Sequence, residues 1–150
     1  MKTTFIFALC LVAVSACKLI TPPSDDGFLI QAKTVEFPAE NKFSATITFE
    51  NNLGREVNII NVGCAFPSFT LQQSIDGQWK MAGGPVCVAL AIAPTHLNTG
   101  ESFTATVSMY TDPDQIANGT YRLKFDIREQ EITKQIPQQY LVSDSFTISR

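Results

Sequence analysis

The chain has 150 residues and a formal charge of −3, with 11 basic and 14 acidic residues and one histidine. That length fits a single domain with a real core. The mild acidity, with no clustered basic residues, excludes a nucleic-acid-binding surface or a polybasic lipid patch.

Residues Phe5 to Ala16 read FIFALCLVAVSA and follow a short start carrying only Lys2. An apolar run of this size is a signal-peptide core and falls short of the roughly 20 residues a membrane-spanning helix needs. No later apolar run is long enough to span a membrane. The run closes on Val14-Ser15-Ala16-Cys17, which resembles the lipobox of bacterial lipoproteins. The resemblance covers about the first 17 residues. It implies removal of residues 1–16 and acylation of Cys17, with palmitate-type chains holding the protein to a membrane. Ordinary signal cleavage after Ala16 is the alternative, since Val14-Ser15-Ala16 also fits an A-x-A-type site. One acyl chain holds weakly, at about 0.8 kcal/mol per buried methylene, and two or three hold firmly. Lys18 stands where an aspartate would retain a lipoprotein in the inner membrane, so the resemblance implies the outer membrane of a bacterial envelope, facing the periplasm or the exterior. Asp25 and Asp26 read as part of a solvated linker or of a surface-export signal.

Without the leader, ten basic residues face fourteen acidic ones. Residues 17–27 contain Pro22-Pro23, Ser24, Asp25-Asp26 and Gly27, a tether with nothing to pack. The globular domain is expected over residues 28–150.

There the pattern is strand after strand. Phe43, Ala45, Ile47 and Phe49 alternate with polar residues, as do Phe103, Ala105, Val107 and Met109, and Tyr121, Leu123, Phe125 and Ile127. A period of two with one polar face predicts half-buried antiparallel strands. Weaker strands are expected over 28–37, 56–62, 68–75, 88–92 and 140–149. Turn residues separate them at Asn51-Asn52-Leu53-Gly54, Gly83-Gly84-Pro85, Asn98-Thr99-Gly100, Asp112-Pro113 and Asn118-Gly119. Asp76-Gly77 predicts a tight hairpin between Ser68–Ile75 and Gln78–Met81. Residues 130–139 are polar and read as a loop or hairpin tip. No helix of three turns can be drawn. The fold class expected is all-β: an antiparallel sandwich of seven or eight strands, with a small barrel as runner-up.

Two segments sharpen this. Leu97-Asn98-Thr99-Gly100-Glu101-Ser102 and Asn118-Gly119-Thr120-Tyr121-Arg122-Leu123 resemble the starts of the E and F strands of immunoglobulin-like and fibronectin-III-like sandwiches. The resemblance implies an immunoglobulin-like fold with Tyr121 as the tyrosine-corner residue, its hydroxyl bonded back to nearby backbone. Glu50-Asn51-Asn52 before a turn fits the same outline, which bacterial proteinase-inhibitor domains of immunoglobulin type share. Those domains are cytosolic, which sets them apart from an exported chain.

Two cysteines remain outside the leader and lipobox, Cys64 and Cys87. An even pair in an exported chain reads as a disulfide. Its ring of 24 residues would contribute about 3 kcal/mol in the loop-entropy model. Two free thiols or half of a metal site are the alternatives. Trp79 lies between the cysteines, so the bridge is expected to staple loop or strand ends and not to cross the sandwich centre as in antibodies.

No motif for catalysis, phosphate binding or zinc is present. His96, in a turn after Pro94, would need a nucleophile and an orienting carboxylate brought to it. Asp112-Pro113-Asp114 offers too few carboxylates for calcium. Glu129 and Glu131 read as one polar face, and Asn118-Gly119-Thr120 as a turn and not a glycosylation site. No catalytic, cofactor-binding or metal-binding residue is therefore assigned, and no cofactor. The most suggestive surface is the segment Gly63 to Met81, with Phe66, Pro67, Phe69 and Trp79 inside the expected disulfide ring and Gly83-Gly84-Pro85-Val86 following, a stapled loop with aromatics that would anchor an envelope or extracellular protein. The competing reading puts Phe69 and Trp79 in the core and Phe66 over the sandwich end. The expected function is a non-catalytic binding or scaffolding module; an exported proteinase inhibitor and a hydrolase with an unrecognised site are the alternatives.

Overall fold

The computed structural model describes residues 27–62, 67–86, 91–112, 115–129 and 136–149. The lipobox, most of the tether, Cys64, Phe66, Cys87 and residues 130–135 lie outside them.

Ten strands are described: β1 (Phe28–Ala39), β2 (Lys42–Asn51), β3 (Val57–Val62), β4 (Phe69–Ile75), β5 (Gln78–Gly83), β6 (Ala91–Leu97), β7 (Ser102–Tyr110), β8 (Gly119–Phe125), β9 (Ile127–Glu129) and β10 (Phe146–Ile148). All their pairings are antiparallel. One sheet runs β1-β2-β7 and a second runs β10-β8-β4-β5. These are the A-B-E and G-F-C-C′ orders of an immunoglobulin-like sandwich.

The third sheet, β6-β3-β9, prolongs the second. The residues Tyr121 to Ile127 that alternate as one strand are split at Asp126, and β9 leaves β4 for β3. Phe69 pairs with Phe125 and Ile59 with Ile127. The Ile60 amide donates to the Asp126 carbonyl at 2.9 Å, and the Ser68 amide to the Ile60 carbonyl at 3.0 Å. Ile60 and Ser68 thus lie on one interrupted strand line. Counting β3 with β4 and β8 with β9 gives eight strands among the described residues, within the seven or eight expected.

Alternation explains the core. Phe43, Ala45, Ile47 and Phe49 of β2, Ala105, Val107 and Met109 of β7, and Tyr121, Leu123 and Phe125 of β8 are buried. Phe49 meets Phe125 edge-on, with centroids 4.9 Å apart, and joins the two sheets. The tyrosine corner forms as expected: Tyr121 Oη donates to the Ala117 carbonyl at 2.6 Å. The Asp76-Gly77 hairpin also forms, with φ of 52° and 76°, the left-handed pair of a type I′ turn.

Three expectations need correction. Of the 88–92 strand, the described residues 91–92 belong to β6, which continues through Pro94 to Leu97. It tolerates the proline because its pairing with β3 shifts register there and it lies at a sheet edge. His96 consequently sits in a strand and not in a turn. The 140–149 strand contracts to β10, preceded by a short 3-10 helix, Gln138–Leu141, and an irregular strap.

Candidate functional site

Each end of the sandwich is organised differently. At one end the chain enters through Gly27, with φ +68°. A methyl group there would lie 2.4 Å from the Tyr140 ring, so only glycine fits beneath that ring. The Gly27 carbonyl accepts the Asn52 amide at 2.9 Å. Beside it Asn51, fully buried, donates to the Arg55 and Leu97 carbonyls, both at 2.8 Å, and accepts from the Leu53 amide at 3.1 Å. This side chain clips the β2–β3 turn to the β6–β7 turn. The sequence pattern flagged its neighbourhood but not its role.

The polar residues near this end do not converge into a reactive centre. His96 Nδ1 lies 2.9 Å from Glu56 Oε1 on an exposed surface. Glu56 is the orienting carboxylate that sequence reading did not supply, yet no nucleophile is placed with the pair among the described residues. Glu129 is not on a polar face; it is 5 % exposed, and Arg55 Nη2 lies 2.7 Å from its Oε1 as an ion pair without hydrogen-bond alignment. Removing Arg55 would leave a buried charge uncompensated. Among the described residues no three His, Cys, Asp or Glu side chains gather as metal ligands, and no helix is long and apolar enough to cross a membrane.

The aromatic cluster divides. Phe69 is 4 % exposed and packs on Phe125. Alternation along β4 points it inward, so it belongs to the core and cannot anchor a partner. Trp79 is half-buried on the outer face of the second sheet. The Arg122 guanidinium lies 4.2 Å from its ring centroid, a cation–π contact, and Arg122 Nε donates to Gln72 Oε1 at 2.9 Å. Burial pulls the Arg122 guanidinium below its ordinary pKa. Phe66 lies outside the described residues.

The exposed apolar surface is next to Trp79, along the β5 and β7 edges. Met81 is 79 % exposed, Tyr110 78 % and Val86 100 %. With Gly83, Pro85 and Met109 they line an open groove of about 650 Å³. A smaller depression of about 380 Å³ continues past Val86 to Lys42 and Ser108. Sequence reading takes in the segment from Gly63 to Met81 and the following Gly83 to Val86, but not Tyr110, which follows the alternating run and carries no motif.

No protein-family model matches the chain, and no curated protein does. Among solved structures it is similar to two crystal structures of a β-glucosidase from Kluyveromyces marxianus, one with glucose and one selenomethionine-labelled. Each match has 11 % identity, with TM-scores of 0.34 and 0.35. The chain spans only 14 % of that enzyme, over 82 % of its own length. At those TM-scores the likeness carries no argument about fold or activity.

Proposed function

We propose that the protein is a lipid-anchored component of a bacterial envelope that acts as a non-catalytic protein-binding module. The observation that carries this reading is the polarity of the sandwich. The tether joins at Gly27, where Phe28 pairs with Asn51 at one end of β2. Tyr110, on the groove, pairs with Lys42 at the other end. Nine residue steps at about 3.3 Å separate these ends by about 30 Å. A lipid on Cys17 would leave the groove side pointing away from the membrane, with the Ala39–Lys42 and Ile75–Gln78 hairpin tips. Exposed Met and Tyr side chains around a concave surface are the residue types that dominate protein interfaces.

The Cys64–Cys87 disulfide belongs to the same proposal. Val62 pairs with Ala91. Cys64 follows the first by two positions and Cys87 precedes the second by four, so the cysteine-bearing segments leave from adjacent strands. Two short segments of this length can bring their Cα atoms within bridging distance.

Mass spectrometry of the protein from its native cell tests the anchor. A chain that begins at an acylated Cys17 is expected; a bare amino terminus there ends the reading. The binding role is tested by capture from envelope extract with wild-type protein and with Tyr110→Asp as paired baits. A partner lost from the variant is expected, and identical captures from both would remove the groove from consideration.

A further inference from the structure

We infer that the partner is an acidic peptide segment, whose Asp or Glu carboxylate docks on the Arg122 guanidinium while a neighbouring apolar side chain enters the groove past Met81. This rests on the binding role proposed above and names the chemistry of what is bound.

Strand register builds the site. Thr70 pairs with Lys124 and Gln72 with Arg122; across β4, Gln72 pairs with Met81 and Ser74 with Trp79. These residues share the outer face of the second sheet, opposite the buried Leu71, Tyr121, Leu123 and Phe125. Arg122 and Lys124 are next to each other on that face, about 7 Å apart along β8.

Arg122 is held in place and left uncompensated. Its Nε donates to Gln72 Oε1 at 2.9 Å, and its guanidinium lies 4.2 Å from the Trp79 ring centroid. These contacts orient the fork and leave Nη1 and Nη2 without an acceptor among the described residues. The ion pairs of the described residues join Arg55 to Glu129, His96 to Glu56 and Arg128 to Asp126, and none uses Arg122 or Lys124. Burial holds Arg122 below its ordinary pKa, a shift that an adjacent carboxylate opposes. A planar guanidinium with free terminal N–H groups receives a carboxylate through two parallel hydrogen bonds.

The surroundings select among anions. A depression of about 270 Å³ borders this face and is lined in part by Thr70, Gln72, Met81 and Lys124. Asp126 also borders it, but Arg128 takes its carboxylate, at 3.0 and 2.7 Å. Met81 lines both this depression and the apolar groove. Charge and apolar contact therefore lie within reach of one short segment. The groove's continuation reaches Lys42, which has no carboxylate partner among the described residues either. An anionic membrane calls for a cluster of roughly four to eight cations, more than this face carries. An acidic sugar polymer offers carboxylates but no apolar side chain for the exposed Met81, Val86 and Tyr110.

The chain has one tryptophan, so Trp79 emission reports on the site directly. The full chain, solubilised in detergent, is used to select from a phage-displayed library of random peptides. Recovered sequences should carry Asp or Glu beside an apolar residue, and a synthetic copy of one should change Trp79 emission. Arg122→Gln should weaken that peptide about thirtyfold, and Lys124→Gln about threefold. Lys80→Gln, on the opposite row of β5, should leave it unchanged. Arg122→Glu should turn the selection toward Lys- and Arg-bearing peptides, a gain that misfolding does not produce. Recovered peptides without acidic enrichment, or equal binding by Arg122→Gln, overturn the inference. So does a response of Trp79 to polygalacturonate or phosphatidylglycerol vesicles with no peptide selected, which would assign the face to a sugar or a lipid. An envelope partner lost by Tyr110→Asp but kept by Arg122→Gln ends this inference and leaves the binding role standing. Wild type that captures no partner and selects no peptide ends both.

Discussion

The two flanks of the sandwich are built from the same strand chemistry and finished differently. On the β1 flank a strap closes the gap between the sheets. The Asp144 amide donates to the Ile30 carbonyl at 3.1 Å, and Asp144 Oδ1 accepts the Ala32 amide at 2.7 Å. One residue earlier, the Ser143 amide donates to the Leu123 carbonyl and Ser143 Oγ accepts the Leu123 amide. Two consecutive residues thus bind one strand from each sheet. On the β7 flank, no described segment does this, and Met81, Val86 and Tyr110 stand in solvent. Backbone polar groups need partners wherever water is excluded. The closed flank finds them within the chain.

This contrast can be broken from the closed side most severely. Ile30→Ala, at a core position of β1, should cost about 3 kcal/mol in denaturant unfolding through the lost methylenes and the cavity left behind. Ser143→Ala should cost about 2 kcal/mol, because the buried Leu123 amide loses its acceptor. A loss under a few tenths would mean that the strap does not hold the flank. Tyr121→Phe removes one hydroxyl bond to Ala117 and should cost about 1 kcal/mol. Trp79→Ala removes a half-buried ring that carries the Arg122 guanidinium 4.2 Å from its centroid and should cost about 1 kcal/mol as well, well below the value for a core aromatic. At the open flank Met81→Ala should change stability by no more than about 0.5 kcal/mol, since it removes no packed contact. A large loss there would show that the groove is filled in the folded protein.

Much of the architecture was legible because alternation is a local signal. Phe43 to Phe49, Phe103 to Met109 and Tyr121 to Phe125 announce their faces by every second residue. Asp76-Gly77 announces its turn because few other pairs adopt two left-handed conformations. Tyr121 was legible from its neighbours Gly119 and Leu123. What failed were positions where a tertiary partner overrides the local pattern. Pro94 looked like a strand end, yet a register shift opposite β3 absorbs it. Glu129 looked solvent-facing, yet the bend at Asp126 turns its strand onto β3 and beneath Arg55. Phe69 was ambiguous as core or anchor because a single aromatic beside a turn has no periodicity of its own.

The sequence alone determined the leader-like start, the two-residue period, the turns and the sandwich class, because each is written in residues adjacent or two apart. The tertiary structure decided which flank the Ser143-Asp144 strap closes, that Asn51 clips two distant turns, and that Met81 and Tyr110 line one groove. Those depend on which strands become neighbours, and that is set by long-range pairing that no short window of sequence contains.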